Sequence, residues 1–167
     1  MLKIDTIKKK IKIIFKKEIL DTGGGVKNAI SFFSTKNILV VNSDIYWQKN
    51  NLKDAMSLIK SFQKSNKSHL LLTKKKNSFG IDKKIGDFVI TKGKICRFSN
   101  GDEVIYYSGL QMLKLSIFKN FTNKKFSFND VWNYLIYNDS LCGKIMYSKW
   151  YHVGDIQGLN IAKKLAT

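Results

Sequence analysis

The stretch from Glu18 to Trp47 reads EILDTGGGVKNAISFFSTKNILVVNSDIYW, and it decides which class of fold the chain can adopt. It contains a glycine triplet, a segment with helical spacing, a run of apolar residues and an aspartate. In α/β proteins this order is typical of a nucleotide site, because glycines let the backbone approach a ligand and the carboxyl end of a strand opens onto the binding crevice. The stretch therefore predicts an α/β domain that holds a nucleotide at this point.

The glycine triplet, Gly23 to Gly25, is predicted to be a tight turn that leads into a helix over residues 26–33. Apolar residues recur within that segment at positions 26, 29, 30 and 33, which is the spacing of one helical face. The free N–H groups at the start of such a helix would point back at the turn and suit a phosphate or the polar edge of a base. The alternative is a tight turn without a ligand, which an isolated glycine triplet favours.

The apolar run Ile38-Leu39-Val40-Val41 is predicted to be a strand covered on both faces within a mostly parallel sheet. It ends at Asn42-Ser43-Asp44. An aspartate at the carboxyl end of a buried strand can bind Mg²⁺ through one oxygen and leave other positions to water and substrate phosphates. The alternative is that Asp44 caps a helix or forms a turn.

The rest of the chain alternates between strand and helix patterns without an internal repeat or a linker, so residues 1–167 are predicted to form a single α/β domain. Helices are predicted over residues 51–64, 128–137 and 156–165, the second with Ser127 and Asp130 as a capping pair. Strands are predicted over residues 10–15, 69–73, 104–107 and 145–153. A β-hairpin is predicted from residues 88–90 and 94–98 around Thr91-Lys92-Gly93.

The composition excludes several classes of protein. Hydrophobic residues make up 44% of the chain and aromatic residues 13%, which excludes a disordered polypeptide, and no apolar run approaches the length of a membrane span. We therefore expect a soluble, cytoplasmic protein. Cys96 and Cys142 lack the spacing of metal ligands and could form at most one disulfide, and we expect buried free thiols instead.

The net charge of +18 suggests a different function, that of a basic domain that binds nucleic acid. Two features weigh against it. Arg97 is the only arginine, although bidentate contacts with bases favour arginine, and the lysines are spread along the whole chain. Solvated surface lysine is the simpler interpretation, and nucleic acid is not an expected partner.

Five short motifs, in this order, resemble those of the sugar-phosphate nucleotidyltransferases. They are closest to the bacterial branch that contains N-acetylmuramate 1-phosphate uridylyltransferase and mannose-1-phosphate guanylyltransferase-like proteins. The motifs are Leu20-Asp21-Thr22-Gly23-Gly24-Gly25 (L-E-T-G-G-G in the family), Leu39-Val40-Val41-Asn42-Ser43-Asp44-Ile45 (L-V-N-G-D), Gly86-Asp87-Phe88, Tyr107-Ser108-Gly109 and Trp150-Tyr151-His152-Val153-Gly154. Each motif alone is weak, but five in register over most of the chain make the resemblance specific.

The resemblance implies a fold, a reaction and a site. The fold is a Rossmann-like, mostly parallel sheet of the nucleotide-diphospho-sugar transferase type. In the reaction, which serves for example cell envelope biosynthesis, a sugar 1-phosphate attacks the α-phosphorus of a nucleoside triphosphate, pyrophosphate leaves, and Mg²⁺ neutralises the developing charge. The implied nucleotide-binding residues are Thr22, Gly23, Gly24, Gly25 and Asn42, the sugar-binding residues are Ser108 and Gly109, and the metal ligands are Asp44 and His152. Many members of the family carry an aspartate at the position of His152, and imidazole is a poorer partner for Mg²⁺ than a carboxylate.

The chain departs from the family pattern at its front. The family begins with a strand and a glycine-rich loop of the form G-x-G-x-x-x-R-x-x-P…P-K-P, whose arginine and lysine grip the triphosphate, whereas this sequence has no proline and no such loop. Met1 falls about 70 to 80 residues into the family pattern, judged from ordinary βαβ lengths. We therefore expect an N-terminally truncated domain that is inactive alone and that leaves an unpaired apolar edge on the strand at residues 38–41.

Two interpretations of this departure stay open. In the first, a separate chain supplies the N-terminal half and the two polypeptides together bind the nucleoside triphosphate and the sugar 1-phosphate. In the second, the protein is a non-catalytic remnant of a truncated gene and binds little.

Overall fold

The computed structural model describes residues 12–15, 18–81, 83–99, 101 and 103–165, and these contain four α-helices and nine β-strands. The helices are α1 (Asp21–Asn28), α2 (Asn51–Gln63), α3 (Phe128–Tyr137) and α4 (Ile156–Leu165). The strands are β1 (Asn37–Val41), β2 (Ile45–Tyr46), β3 (Ser68–Lys74), β4 (Ser78–Phe79), β5 (Phe88–Thr91), β6 (Lys94–Arg97), β7 (Ile105–Lys114), β8 (Leu141–Ile145) and β9 (Trp150–His152). Short 3₁₀ helices lie at Ile30–Phe32, Lys75–Asn77 and Leu115–Asn120. Within these ranges, no helix combines the length and the apolar character needed to span a membrane.

The main sheet is organised around β7, its longest strand. β3 lies antiparallel along one side of β7, and β8 follows parallel to β3. β1 and the β5–β6 hairpin lie on the other side of β7, both antiparallel to it. A small second sheet consists of β2, β9 and β4, with β9 in the middle. The predicted α/β class is confirmed, and the strand directions within the main sheet are mixed.

The position of β1 differs from the prediction. The strand pairs antiparallel with β7, with Val41 opposite Leu110, and it has no second strand partner among the described residues. Leu39 and Val41 are 44% and 52% exposed, whereas Ile38 is buried. The prediction of a strand covered on both faces is therefore wrong, because alternate side chains of β1 are open to solvent on one face. β1 also lies at an edge of the described sheet. The unpaired apolar edge expected from the sequence is present there.

Two apolar cores lie on opposite faces of the main sheet. The α3 core contains buried side chains from β1, β3, β5, β7, α3 and the 3₁₀ helix at Leu115–Asn120, among them Ile38, Leu70, Leu72, Phe88, Leu113, Phe118, Val131 and Leu135. The α2 core lies on the other face and contains Ile45, Leu58, Leu71, Tyr106, Leu110, Met146 and Trp150. The sheet is thus covered on both faces over β3 and β7.

Locally encoded elements match their predictions. The β5–β6 hairpin turns at Lys92 and Gly93, with φ angles of 49° and 75°, as a two-residue turn of the primed type requires. Helix α3 begins with a capping box in which Ser127 and Asp130 each bond the backbone N–H of the other. Both predictions are confirmed.

Three predicted strands have different bounds. The strand over residues 104–107 continues to Lys114, because Gly109, with φ of 86°, forms an irregularity within β7 and does not end it. The strand over residues 145–153 is two strands, β8 and β9, separated by residues 146–149. Of the strand over residues 10–15, residues 12–15 have no regular structure, and residues 10–11 lie outside the described residues.

Candidate functional site

The glycine triplet lies inside helix α1 and does not form the predicted turn. Gly23 and Gly24 are buried, and a Cβ on them would lie 2.6 Å from the Phe126 ring and 2.2 Å from the Lys124 carbonyl oxygen. Glycine costs about 1 kcal/mol in a helix relative to alanine, and here it permits close contact with the segment that precedes α3. The turn and the helix over residues 26–33 are therefore wrong: α1 contains the triplet, and only a short 3₁₀ helix follows it.

Polar groups of α1 form hydrogen bonds with the segment that leads into α3. Thr22 Oγ1 accepts a hydrogen bond of 3.0 Å from the Phe128 N–H, and the Gly24 N–H donates to the Phe126 carbonyl oxygen at 3.0 Å. Gly25 is half-buried. An open hollow of about 410 Å³ beside α1 is lined by Phe15, Glu18, Leu20, Gly24, Lys27, Asn28 and Lys124. Contact of Thr22 and the glycines with a nucleotide stays a prediction.

The small sheet brings Asp44 and His152 together. Ile45 of β2 pairs with His152 of β9, and the Val153 N–H donates to the Asp44 carbonyl oxygen at 2.7 Å. His152 Nε2 lies 3.5 Å from Asp44 Oδ2, and the two side chains are 27% and 43% exposed. The two residues that the resemblance implies as metal ligands therefore face each other just beyond the end of β1.

This pair offers part of a coordination sphere for Mg²⁺. Asp44 Oδ1 and His152 Nδ1 are buried atoms without a hydrogen-bond partner in the described part of the chain. No group of three or more His, Cys, Asp or Glu side chains suited to a metal ion occurs in that part either. Because Mg²⁺ commonly takes one or two carboxylates and completes its octahedron with water and substrate phosphates, the pair fits an ion that a substrate helps to hold. Asp44 would supply the oxygen ligand that Mg²⁺ prefers.

Close packing fixes the imidazole of His152. A Cβ on Gly154 would lie 2.5 Å from His152 Cε1, so a larger residue at that position would displace the ring. Trp150 is a second neighbour of the imidazole, and its ring centroid lies 5.8 Å from that of His152. The Trp150 indole is itself anchored, since Nε1 donates to the Ser108 carbonyl oxygen at 2.8 Å.

The remaining predicted site residues support the loop that carries Asp44. The Asn42 N–H donates to the Gly109 carbonyl oxygen at 2.8 Å. A Cβ on Gly109 would lie 2.7 Å from Ile45 Cγ1, so glycine lets β7 approach this loop closely. Ser108 is fully buried, and its hydroxyl donates to the Leu71 carbonyl oxygen at 2.9 Å. Ser108 and Gly109 thus form the floor beneath the loop, and their contact with a sugar stays a prediction.

A polar clamp on α2 was not predicted from the sequence. Asp54 is 8% exposed, and its carboxylate accepts hydrogen bonds from the backbone N–H groups of Tyr147 and Ser148 at 3.0 and 3.2 Å. Asn51 is 2% exposed and donates to the Lys149 carbonyl oxygen at 2.9 Å. The clamp fixes residues 147–149, which lead directly into β9 and His152. A signal was present, because both polar residues occupy the apolar stripe of α2.

Exposed apolar side chains lie beside the candidate site. We call the set Leu39, Val41, Leu52 and Met56 the open edge surface; its members are between 44% and 63% exposed. A groove of about 270 Å³ adjoins it and is lined by Val41, Trp47, Gln48, Asn51, Leu52, Ala55 and Leu110. The free edge of β1 and one face of α2 thus form an apolar surface, and Asp44 follows its Val41 by three residues.

A curated relative found by sequence comparison covers most of this chain. No family model matches the chain. A curated protein, N-acetylmuramate alpha-1-phosphate uridylyltransferase from Caulobacter vibrioides, is 26% identical over 144 residues, which are 84% of this chain and 59% of that protein. The chain therefore spans less than two thirds of the length of the curated relative that it matches.

Solved structures share the fold. HddC from Yersinia pseudotuberculosis, in a complex with GMP-PN, has a TM-score of 0.63 at 20% identity over 96% of this chain and 72% of its own. A putative glucose-1-phosphate thymidylyltransferase from Bacillus anthracis has a TM-score of 0.72 at 14% identity over 90% of this chain and 63% of its own. A UDP-glucose pyrophosphorylase complexed with UDP-glucose has a TM-score of 0.67 at 13% identity over 93% and 65%.

The resemblance to the sugar-phosphate nucleotidyltransferases is confirmed. The solved structures show the nucleotide-diphospho-sugar transferase fold for this chain. In sequence, the chain is similar to a curated sugar-phosphate uridylyltransferase. In that fold the Asp44–His152 pair lies beyond the end of an edge strand that has apolar side chains open to solvent. These two features, the pair and the open edge, are the basis of the functional proposal.

Proposed function

We propose that this chain is the C-terminal part of a nucleotidyltransferase that joins a sugar 1-phosphate to a nucleoside triphosphate, giving a nucleotide sugar and pyrophosphate. The Asp44–His152 pair carries the proposal, since the pairing of β2 with β9 holds the two side chains at 3.5 Å. The name of the curated relative favours a sugar of the cell envelope as the substrate. The proposal places the chain in the cytoplasm, where nucleoside triphosphates are available.

The proposed reaction is a displacement at phosphorus. A phosphate oxygen of the sugar 1-phosphate forms a bond to the α-phosphorus. The bond from that phosphorus to the oxygen bridging to the β-phosphorus breaks, and pyrophosphate leaves with the electron pair. Mg²⁺, when bound, supplies the charge neutralisation that this step needs. Asp44 would contribute a carboxylate oxygen to the ion, and His152 would hold that carboxylate through its Oδ2.

The substrates would lie on either side of this pair. We place the nucleotide near Asn42 and the hollow beside Gly24, whose lining includes Lys27 and Lys124. Lys27 already donates to the carbonyl oxygens of residues 121–123, so Lys124 is the more available cation for an anionic ligand. The sugar would lie above the floor that Gly109 forms.

We further propose that a separate polypeptide completes the site by covering the open edge surface. An edge strand with apolar side chains invites the addition of another strand, because its N–H and C=O groups on that side have no partner within the described sheet. Leu52 and Met56 on α2 would pack against the same polypeptide. Such a chain would bring the glycine-rich loop that grips the triphosphate and that this sequence does not contain.

The test measures pyrophosphate release in the presence of Mg²⁺. A panel of nucleoside triphosphates is combined with N-acetylmuramate 1-phosphate and other sugar 1-phosphates, first with the chain alone and then with a polypeptide carrying the glycine-rich loop. We expect release only from the mixture and its loss in Asp44→Asn. Asp139→Asn is the matched control, because Asp139 is exposed and pairs with Lys67. If no mixture releases pyrophosphate, the proposal is wrong and the chain is a non-catalytic remnant.

A further inference from the structure

Asp44 lies in a turn that packs against β7 close to Tyr107. The β1–β7 ladder pairs Val41 with Leu110, and the hydrogen bond from the Asn42 N–H to the Gly109 carbonyl oxygen continues it by one residue. Residues 43 and 44 then form a turn into β2, and a Cβ on Gly109 would lie 3.1 Å from Asn42 Cβ and 2.7 Å from Ile45 Cγ1, so both sides of the turn contact β7. Tyr107 precedes Gly109 by two residues and packs against the α3 core on this face of the sheet, and the charge of Asp44 acts on its phenol.

Three unpaired polar atoms follow this face. Among the described residues, Asp44 Oδ1, Tyr107 Oη and Gln111 Nε2 are buried and have no hydrogen-bond partner of ordinary geometry. Gln111 is fully buried, and it lies opposite Val40 on β1 and Leu70 on β3. Burying an unsatisfied polar group is unfavourable, so three such groups on one face of an apolar core require an explanation.

A fourth polar group fixes the direction of hydrogen bonding. The Trp132 indole Nε1–H donates to Gln111 Oε1 at 2.9 Å, and the Tyr107 ring centroid lies 4.8 Å from that of Trp132. An indole can only donate and an ionised carboxylate can only accept. With the amide oxygen of Gln111 occupied, its N–H group is left to donate to the Tyr107 oxygen. The phenol O–H is then left to donate to Asp44.

We propose that Tyr107 and Gln111 are positioning residues for Asp44, in a buried hydrogen-bond line that runs from the Trp132 indole to the Asp44 carboxylate. The line would hold Oδ1 from inside the protein while His152 faces Oδ2, so that the carboxylate keeps one orientation toward a bound metal ion. This inference deepens the proposed function and rests on it, since it takes Asp44 as the metal-binding group.

The electrostatic environment of the phenol agrees with this arrangement. Burial raises the pKa of Tyr107 above its ordinary value, the charge of Asp44 raises it further, and the Gln111 side chain opposes the shift. Tyr107 therefore keeps its proton throughout the physiological range and remains a donor. Its own backbone N–H donates to Asp87 Oδ2 at 3.0 Å, which fixes the strand at this residue.

The first test measures Mn²⁺ binding to the full chain by electron paramagnetic resonance. Tyr107→Phe removes only the hydroxyl and leaves the ring on Trp132, and we expect about tenfold weaker binding, the usual effect of losing a partner of a metal ligand. Asp44→Asn should abolish binding, and Tyr137→Phe is the control because Tyr137 is 91% exposed. Tyr107→Phe should also lower the thermal midpoint, because it leaves two buried polar groups without a partner, so binding is measured at a temperature where every variant is folded. Unchanged Mn²⁺ affinity in Tyr107→Phe would overturn the positioning role and leave the proposed function standing.

The second test needs no metal ion. In the metal-free chain, Asp44→Asn should shift the NMR resonances of the Gln111 side-chain amide and the Trp132 indole proton, and Asp139→Asn should not. If neither resonance shifts in Asp44→Asn, the hydrogen-bond line is absent and the inference fails. If they respond although the wild-type chain binds no Mn²⁺, the line exists, but its role in orienting Asp44 toward a metal ion is overturned for the chain alone.

Discussion

Two strands of the main sheet, β8 and β1, are each five residues long, and each pairs with a single neighbour in the described structure. Their sequences differ in kind. β8 reads LCGKI and contains a glycine and a lysine, both of which discourage the addition of another strand. β1 reads NILVV and contains neither. One edge is thus protected by its own residues, and the other is not.

Packing around the two strands follows the same division. No residue of β8 is exposed, and a Cβ on Gly143 would lie 2.5 Å from Leu72 Cδ1 and 3.4 Å from Ile95 Cδ1, so the neighbouring strands close over it. On β1, Leu39 and Val41 are about half exposed. We call β8 the closed edge and β1 the open edge.

The difference connects folding with function. Asp44 follows the open edge by three residues, and Val41 at the end of that edge lines the apolar groove. Whatever covers the open edge would also reach the candidate site. The closed edge, by contrast, has no predicted site residue, and its Leu141 and Ile145 pack in or against the α3 core.

The largest expected effect separates the two edges by stability. Leu72→Ala removes a fully buried side chain beneath the closed edge and should lower the free energy of unfolding by about 2–5 kcal/mol. Leu39→Ala removes the same atoms from the open edge and should change it by no more than about 0.5 kcal/mol. Urea denaturation of the two variants measures the difference. A large loss in Leu39→Ala would mean that β1 is already covered in solution.

The next effect concerns the clamp on α2. Asp54→Ala leaves the N–H groups of Tyr147 and Ser148 without their carboxylate acceptor and should destabilise the chain by about 1.5–3 kcal/mol. Lys53→Ala, which changes an exposed residue one position away, serves as the control in the same urea denaturation series. Equal midpoints for the two variants would show that the clamp does not hold the segment before β9.

A charged residue on the open edge should change self-association of the chain more than its stability. Val41→Lys places a charge on the open edge and should reduce self-association at high concentration, while the free energy of unfolding changes by no more than about 0.5 kcal/mol. The reciprocal change on the closed edge, Lys144→Val, should increase self-association. Sedimentation velocity measures both. The comparison of the edges breaks down if the two variants associate equally.

Local patterns account for what the sequence predicted correctly. The β5–β6 hairpin depends on a two-residue turn, and the start of α3 depends on a capping box, so the deciding residues lie within a few positions of one another. Asp44 and His152 came from motifs of a resembled family, and the structure brings them together through a strand pairing that no local pattern indicates.

Distant contacts account for what was missed. Gly23 and Gly24 are needed because they pack closely against the segment near Phe126, about a hundred positions along the chain. The triplet alone does not show this contact, and it suggested a turn. The break between β8 and β9 depends on Asp54 in α2. Gln111 gave a usable signal, a single amide within the apolar run of β7, but its partner Trp132 lies in another element.

The smallest effect tests whether water reaches the closed edge at His69. This residue of β3 lies opposite Cys142 of β8, is 5% exposed, and has Nδ1 at 3.0 Å from the Lys67 carbonyl oxygen. Burial lowers the pKa of the imidazole below its usual 6.5, and the Lys67 carbonyl opposes that shift. The folded state therefore binds the proton less readily than the unfolded state, so stability is lost as the pH falls below 6.5 and is retained above it.

His69→Asn keeps a donor near the position of Nδ1 but does not titrate, so the variant should lose less stability than the wild type between pH 7 and pH 5. Urea denaturation at the two pH values measures this difference, and Cys142, whose pKa burial raises, stays protonated at both. A wild type and a variant with the same pH dependence would mean that solvent reaches the imidazole. In that case β8 would be no more closed than β1, and the contrast between the two edges would rest on their exposed side chains alone.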